Sequence, residues 1–152
     1  MDELRIYYNA WETYDQDIRK RGWLVPSIIA ETLYSFQPRF EQFLDIGAGT
    51  GLLGEQLRKA GVEIRSLSGI DVAEKALARA EKKKIYSSLL QMDAEKLAFR
   101  DEIFDGIGTS ALFGLVGKQA FIEALRVTKL GGIAAITIGA TSQPYTQKNY
   151  LD

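Results

Sequence analysis

The chain has 152 residues, 46% hydrophobic and 26% charged, the size and composition of one globular domain with one core. Its net charge of −1 gives no electrostatic case for nucleic acid or an anionic membrane as the main partner. Without cysteine or histidine it has no disulfide framework, thiolate nucleophile or Cys-based metal site, and lacks the commonest general base and neutral metal ligand.

The opening stretch "MDELRIYYNAWETYDQD" is acidic and lacks the apolar core of a signal peptide. No apolar run approaches the roughly 20 residues of a membrane span, so a soluble, cytoplasmic protein is expected. Residues 3–20 predict one amphipathic helix with Tyr7, Trp11 and Tyr14 at i, i+4, i+7. Gly22 marks its end, and Pro26 suits the first turn of a helix that runs to about Phe36 and is closed by Pro38. A short apolar strand at 42–47 leads through a glycine-rich loop into a helix from about Gly51 to Lys59, stopped by Gly61. A second strand follows at 64–71, then a helix at 72–84 whose positive charges gather at its C-terminal end, where the macrodipole favours them. Third and fourth strands are read at 86–93 and 104–111, with room between them only for a loop or a short helix. A helix at 117–129, ended by Gly131-Gly132, precedes a fifth strand at 133–140.

Strands alternating with helices at this spacing indicate an α/β fold: an open, mostly parallel, Rossmann-like sheet with helices on both faces. Ligands of such sheets bind at the carboxyl ends of the strands, near the switch point beside the first strand. The glycine loop lies there, Asp71 and Asp93 end the second and third strands on the same edge, and Thr109 and Ser110 end the fourth.

The loop "FLDIGAGTGLLG" supports two readings. Gly49, Gly51 and Gly54 satisfy G-x-G-x-x-G, and Asp71 lies 22 residues after Gly49, the spacing of a ribose-binding acid in dinucleotide folds. The other register, Asp45-x-Gly47-x-Gly49-x-Gly51, adds a carboxylate at the strand end. Beside a pyrophosphate that carboxylate is unfavourable; beside an ammonium or a sulfonium it attracts. A P-loop is excluded, since no Gly-Lys-Ser/Thr follows. The balance favours a phosphate-free, cationic ligand such as S-adenosylmethionine (SAM).

"FLDIGAGTG" resembles the first motif of the class I SAM-dependent methyltransferases. "LSGIDVAEKALARA", "LLQMDAEKL", "FDGIGTSALF" and "ALRVTKLGGIAAIT" resemble their second to fifth, in order, over residues 40–140. The leader "YYNAWETYDQDIRKRGWLVP" is similar to the N-terminus of the Williams–Beuren-region methyltransferase-like group. The resemblance implies strand order 3-2-1-4-5 and a single domain over 1–152. Residues 1–38 form a helical cap, 39–140 the core and 141–152 a polar tail. It also implies that SAM is the cofactor and S-adenosylhomocysteine the product. Gly47, Ala48, Gly49, Thr50 and Gly51 then face the methionine portion, with Asp45 serving its amino group. Asp71, flanked by Val72, takes the ribose hydroxyls; Asp93 takes the adenine amine, with Met92 and Ala94 near the ring. Thr109 and Ser110 lie near the transferable methyl, and Trp11 or Tyr14 covers the sulfonium.

Each of these positions also has a plainer use. Asp71 suits the N-cap of the helix it precedes, "MDAEKL" suits a capped turn, and the aromatic stripe suits the buried face of a helix. Lys82, Lys83 and Lys84 read as a solvated helix end.

The expected reaction is in-line methyl transfer to a small-molecule acceptor, with no nucleic acid or membrane partner, no metal and no assigned catalytic residue. Any base would be Tyr, Asp, Glu or Lys. "TSALFG" is not the Pro-Pro-aromatic motif used on planar amino groups. The family continues past its fifth strand with a helix and two antiparallel strands, whereas this sequence stops at Asp152. The expectation is therefore an apolar edge at the fifth strand, with three competing explanations: a fragment of a longer enzyme, a partner chain that completes the sheet, or a homo-oligomer formed along that edge. The alternative function is a non-catalytic SAM-binding or regulatory subunit.

Overall fold

The computed structural model describes residues 2–110, 112 and 115–137. Three helices come first, α1 (Asp2–Ala10), α2 (Tyr14–Lys20) and α3 (Val25–Phe36). There follow β1 (Arg39–Ile46), α4 (Leu52–Lys59), β2 (Glu63–Asp71), α5 (Glu74–Lys82) and β3 (Ser88–Gln91). The chain continues through β4 (Phe104–Thr109), α6 (Lys118–Val127) and β5 (Thr128–Ile136). The five strands form one sheet in the order β3-β2-β1-β4-β5, and every neighbouring pair is parallel. The α/β, Rossmann-like architecture and strand order expected from the sequence are therefore the ones observed.

Each face of the sheet has its own core. Leu44, Ile46, Ile70, Phe104 and Ile107 pack with Ala120, Ala124 and Val127 of α6. On the other face Phe40, Phe43 and Leu67 pack with Ile29, Ala30 and Leu33 of α3 and Leu53 and Leu57 of α4. Alternation along β1, with Phe43 to one side and Leu44 and Ile46 to the other, follows from the period of two in an extended chain. No helix among the described residues is long and apolar enough to cross a membrane.

Two boundaries differ from the expected ones for tertiary reasons. The single helix predicted over 3–20 is two helices, broken at Trp11–Thr13. Carbonyls that would continue α1 are drawn away instead: Arg79 of α5 donates to Trp11 O at 2.5 Å and to Tyr8 O and Asn9 O at 3.4 Å. The Trp11 indole and the Thr13 hydroxyl both donate to Asp17 Oδ2, which fixes the start of α2.

The helix predicted over 117–129 ends at Val127, and β5 begins at once with Thr128, not at Ile133. Thr128 is extended and pairs with Phe104, so the register slips between Phe104 and Gly106 before Gly106 meets Ile133. Gly131, at φ 79°, therefore lies in a strand irregularity; it does not end the helix. The last carbonyls of α6 are satisfied by Glu102 N and Ile103 N. Strand ends 110–111 and 138–140 and the tail 141–152 include residues outside the described ones, namely Ala111 and everything after Thr137.

Candidate functional site

The glycine loop is pinned to the neighbouring strand. Gly47 N and Ala48 N both donate to Ile70 O, at 2.9 and 2.8 Å, so the chain turns where β1 and β2 end together. Gly47, Gly49 and Gly51 have φ of 76°, 53° and 85°, a region that L side chains rarely adopt. Their surroundings differ. A Cβ on Gly51 would come 3.0 Å from the ring of Tyr86, and one on Gly54 only 2.6 Å from its hydroxyl. On β2, a Cβ at Gly69 would meet the same ring at 2.9 Å. These three glycines make the slot for Tyr86. Gly49 is different: a Cβ there meets nothing closer than Asp71 Oδ2 at 3.9 Å, so its backbone is open.

Asp71, at the end of β2, ties that open loop to the start of α5. Its Oδ2 accepts from Gly49 N at 2.9 Å and its Oδ1 from Ala73 N at 2.8 Å. The N-cap position of α5 is Ala73, so Asp71 does not cap that helix. Each carboxylate oxygen keeps a second acceptor site for a ligand donor. Burial raises the pKa of Asp71, opposed by the amides of Ala73, Gly49 and Val72.

Asp45 is completely buried at the end of β1, beneath the loop. Tyr86 donates to its Oδ2 at 2.6 Å, while Tyr86 Oη accepts from Gly54 N at 3.2 Å. Burial pushes the carboxyl up to about 7; the Tyr86 hydrogen bond opposes this and the charge of Asp71 adds to it. Its Oδ1 has no hydrogen-bond partner among the described residues. The same burial, with Asp45 alongside, pushes the Tyr86 phenol well above its ordinary value. Tyr86 is therefore a donor to Asp45, and the carboxylate that faces open space at this edge is Asp71.

A shallow cleft, open to solvent, lies over this edge. Gly47, Ile70, Asp71 and Val72 form its floor, and Met92 and Ala94 one wall. Leu112, Leu115 and Val116 form another, and Leu4 and Tyr8 of α1 the roof. Among the described residues, Asp71 is the only acidic or basic residue in this lining, and no Lys or Arg there offers a counter-charge for a phosphate.

Among the other expected site residues, Ala48 is buried, and Gly49 adjoins the cleft through Asp71. Thr50 gives its hydroxyl to Asp15 of α2. Asp93 accepts from Glu95 N at 2.8 Å, closing a turn, and is absent from the cleft lining. Thr109 is fully buried, its hydroxyl without a partner among the described residues, and neither it nor Ser110 is in the cleft lining. Trp11 and Tyr14 pack with Tyr7 and Tyr8 in an edge-to-face cluster with centroids 4.9–5.8 Å apart. Of these four rings only Tyr8 lines the cleft.

Sequence reasoning missed Tyr86, Leu4, Tyr8 and the wall of Leu112, Leu115 and Val116. The spacing of Leu4 and Tyr8, one turn apart on the predicted helix, was the available signal for a shared face.

The model described as "Methyltransferase domain" matches residues 44–136, more than half of the chain. Human methyltransferase-like protein 27 is 29% identical over 96% of this chain, which spans 62% of that protein. A phosphatidylethanolamine N-methyltransferase of Cereibacter sphaeroides is 31% identical over 90% of the chain, which spans 68% of it. A solved complex of the Haloferax volcanii Trm112 methyltransferase activator with a methyltransferase matches with a TM-score of 0.72 at 22% identity. That match covers 86% of this chain and 57% of the solved one. The glycine loop, the acid closing β2 and the sheet order thus coincide with the match to a domain family, and the chain belongs to the class I SAM-dependent methyltransferases.

Proposed function

We propose that this chain forms a single SAM-binding domain of a methyltransferase that acts on a small-molecule acceptor, with the cleft over Gly47 and Asp71 as its cofactor site. The observation that carries this reading is the charge of the cleft: among the described residues that line it, one carboxylate, no cation and otherwise mostly apolar walls. A pyrophosphate would meet only repulsion there, whereas a cationic, phosphate-free nucleoside gains attraction. SAM is the cofactor of this family, and the residues present fit it. Asp71 would accept ribose hydroxyls, and Met92 and Ala94 would border the adenine. The open backbone at Gly49 would leave room beside them. When bound, SAM supplies a methyl group on a positively charged sulfur. The chain's own part is to hold that group and exclude water, through Leu4, Tyr8, Leu112, Leu115 and Val116. The name of the bacterial relative, a phosphatidylethanolamine N-methyltransferase, supports an acceptor that is not a polymer.

Titration calorimetry with SAM, S-adenosylhomocysteine and NAD tests the cofactor: heat from the first two and none from NAD is expected. Binding of NAD alone would end this reading. Transfer of labelled methyl from SAM to components of a metabolite extract tests the acceptor class.

A second reading, a SAM-binding subunit completed by another chain, rests on β5. That strand is the sheet edge among the described residues, and its Leu130 is 90% exposed. The solved complex with an activator supports such a partner. Sedimentation distinguishes the cases: self-association or a co-purifying chain favours it, and a monomer that transfers methyl groups disfavours it.

A further inference from the structure

The roof of the cleft is attached differently from its floor. Neither α1 nor α2 contributes a fully buried side chain. Polar bonds to α5 and its neighbourhood hold both helices instead. Arg79 gathers the carbonyls of Tyr8, Asn9 and Trp11, and Asn9 Oδ1 accepts from Lys75 N at 3.0 Å. One turn after Arg79, Lys83 Nζ pairs with Asp15 Oδ2 at 2.7 Å and with Glu55 Oε2 at 3.2 Å. Asp15 also accepts from Thr50, inside the glycine loop. Arg19 completes the set through Glu55 at 2.9 Å.

We propose that Arg79 and Lys83 form a latch that sets how long the cofactor stays bound. This rests on the cleft being the SAM site. Leu4 and Tyr8 cover the cleft from α1, so a ligand seated on Asp71 leaves when α1 lifts. Lifting α1 together with α2 exposes no fully buried side chain, only half-buried ones, but must free the carbonyls from Arg79 and Asp15 from Lys83. Segments held this way belong to the low-stability end of a fold and open locally without global unfolding. Arg79 lies on α5 and Lys83 is its C-cap, Asp71 accepts from Ala73 N at the other end of that helix, and the Asp15–Thr50 bond joins the same cap to the glycine loop. Roof and floor therefore meet on one element. Arg79 and Lys83 are positioning residues: neither lines the cleft.

The test measures SAM release from the full chain by stopped flow, following the cap through Trp11 fluorescence, with calorimetric affinity alongside. Arg79→Ala and Lys83→Ala are each expected to speed release about tenfold, since changes of this kind appear mainly in the dissociation rate. Raised salt should speed release from the wild type and less so from Lys83→Ala. Arg79→Lys, which keeps the charge but loses the fork, should restore release only in part. Unchanged apo melting temperatures exclude a general loss of fold; should Arg79→Ala fail to fold, Asp15→Ala breaks the latch from the exposed side. Wild-type release rates in these variants, with SAM binding intact, overturn the latch alone. Failure of the wild type to bind SAM overturns both the latch and the cofactor reading.

Discussion

The floor and the roof of the cleft are built on opposite principles. The floor, the carboxyl ends of β1, β2 and β4 with the glycine loop, is packed on both sides by fully buried residues such as Phe43, Ile46 and Ile107. Its glycines are demanded by a neighbouring ring as much as by backbone conformation. The roof, α1 and α2, buries no side chain fully and is held by hydrogen bonds and ion pairs. Apolar burial is cumulative and indifferent to ligand, so the floor stays formed in the empty protein. Polar contacts at a partly exposed surface are each worth little, so the roof is free to exchange between states. Substitutions in the two regions should therefore fail differently: floor changes in stability, roof changes in ligand binding.

The largest effect is expected from Phe43→Ala, which empties the centre of the core under α3 and α4. It should lower unfolding free energy by about 3–5 kcal/mol in urea titration. A loss below about 1 kcal/mol would show that the floor is not the rigid member of the pair.

Asp45 comes next. Its folded pKa, about 7, lies above the unfolded value of 3.8, so the native state holds the proton more tightly. The group's contribution is fully present below pH 3.8 and is lost as pH rises through 7. Above that, burying the ionised carboxylate costs roughly 2–4 kcal/mol. Asp45→Asn should flatten the fall of stability between pH 4 and 8 and stabilise the protein at pH 8. An unchanged pH slope would mean that Oδ1 finds compensation at neutral pH.

Gly54→Ala places a methyl 2.6 Å from the Tyr86 hydroxyl and 2.7 Å from its ring carbon, and should cost about 1–3 kcal/mol. In a Tyr86→Ala background the cost should shrink, because the clashing ring is gone. Equal costs in both backgrounds would place the strain elsewhere in α4.

How much of this was legible in the sequence follows the same division. The strands and the edge where the loop, Asp71 and Asp93 gather could be read because apolar runs and glycines report local conformation; the strand order came from the family resemblance. Contacts between distant segments could not. Glycine announces that something comes close without saying what: Gly51 read as room for a ligand, yet the ring of Tyr86 occupies that side. Asp45 read as a carboxylate at the mouth of the site, yet a tyrosine 41 residues away holds it beneath the loop. The break after Ala10 depends on an arginine 68 residues downstream of Trp11. Helical periodicity continues through the break, so the pattern alone predicts one helix. The β5 boundary failed for a related reason, since Gly131-Gly132 signals a turn equally well inside a strand irregularity.

Asp71→Ala bridges the two regions. It removes the acceptor for Gly49 N and Ala73 N and the only charged side chain among the described residues that line the cleft. SAM affinity should fall at least tenfold, about 1.4 kcal/mol, in calorimetry. Unchanged affinity would move the ribose elsewhere and separate the floor from cofactor binding.

Leu4→Ala should have the smallest effect and makes the sharpest comparison. Leu4 is half-buried on α1 and touches the cleft, not the main core. Shortening it removes apolar area from the roof, so apo stability should change by less than about 1 kcal/mol. SAM affinity should drop about threefold, near 0.6 kcal/mol, because the cleft loses part of the surface that excludes water from its ligand. The two readouts must part company: hydrocarbon deleted at Phe43 is felt without ligand, whereas hydrocarbon deleted at Leu4 is felt mainly with it. Equal losses of apo stability at the two positions would mean that α1 belongs to the core, and that the cap opens only when the whole domain unfolds.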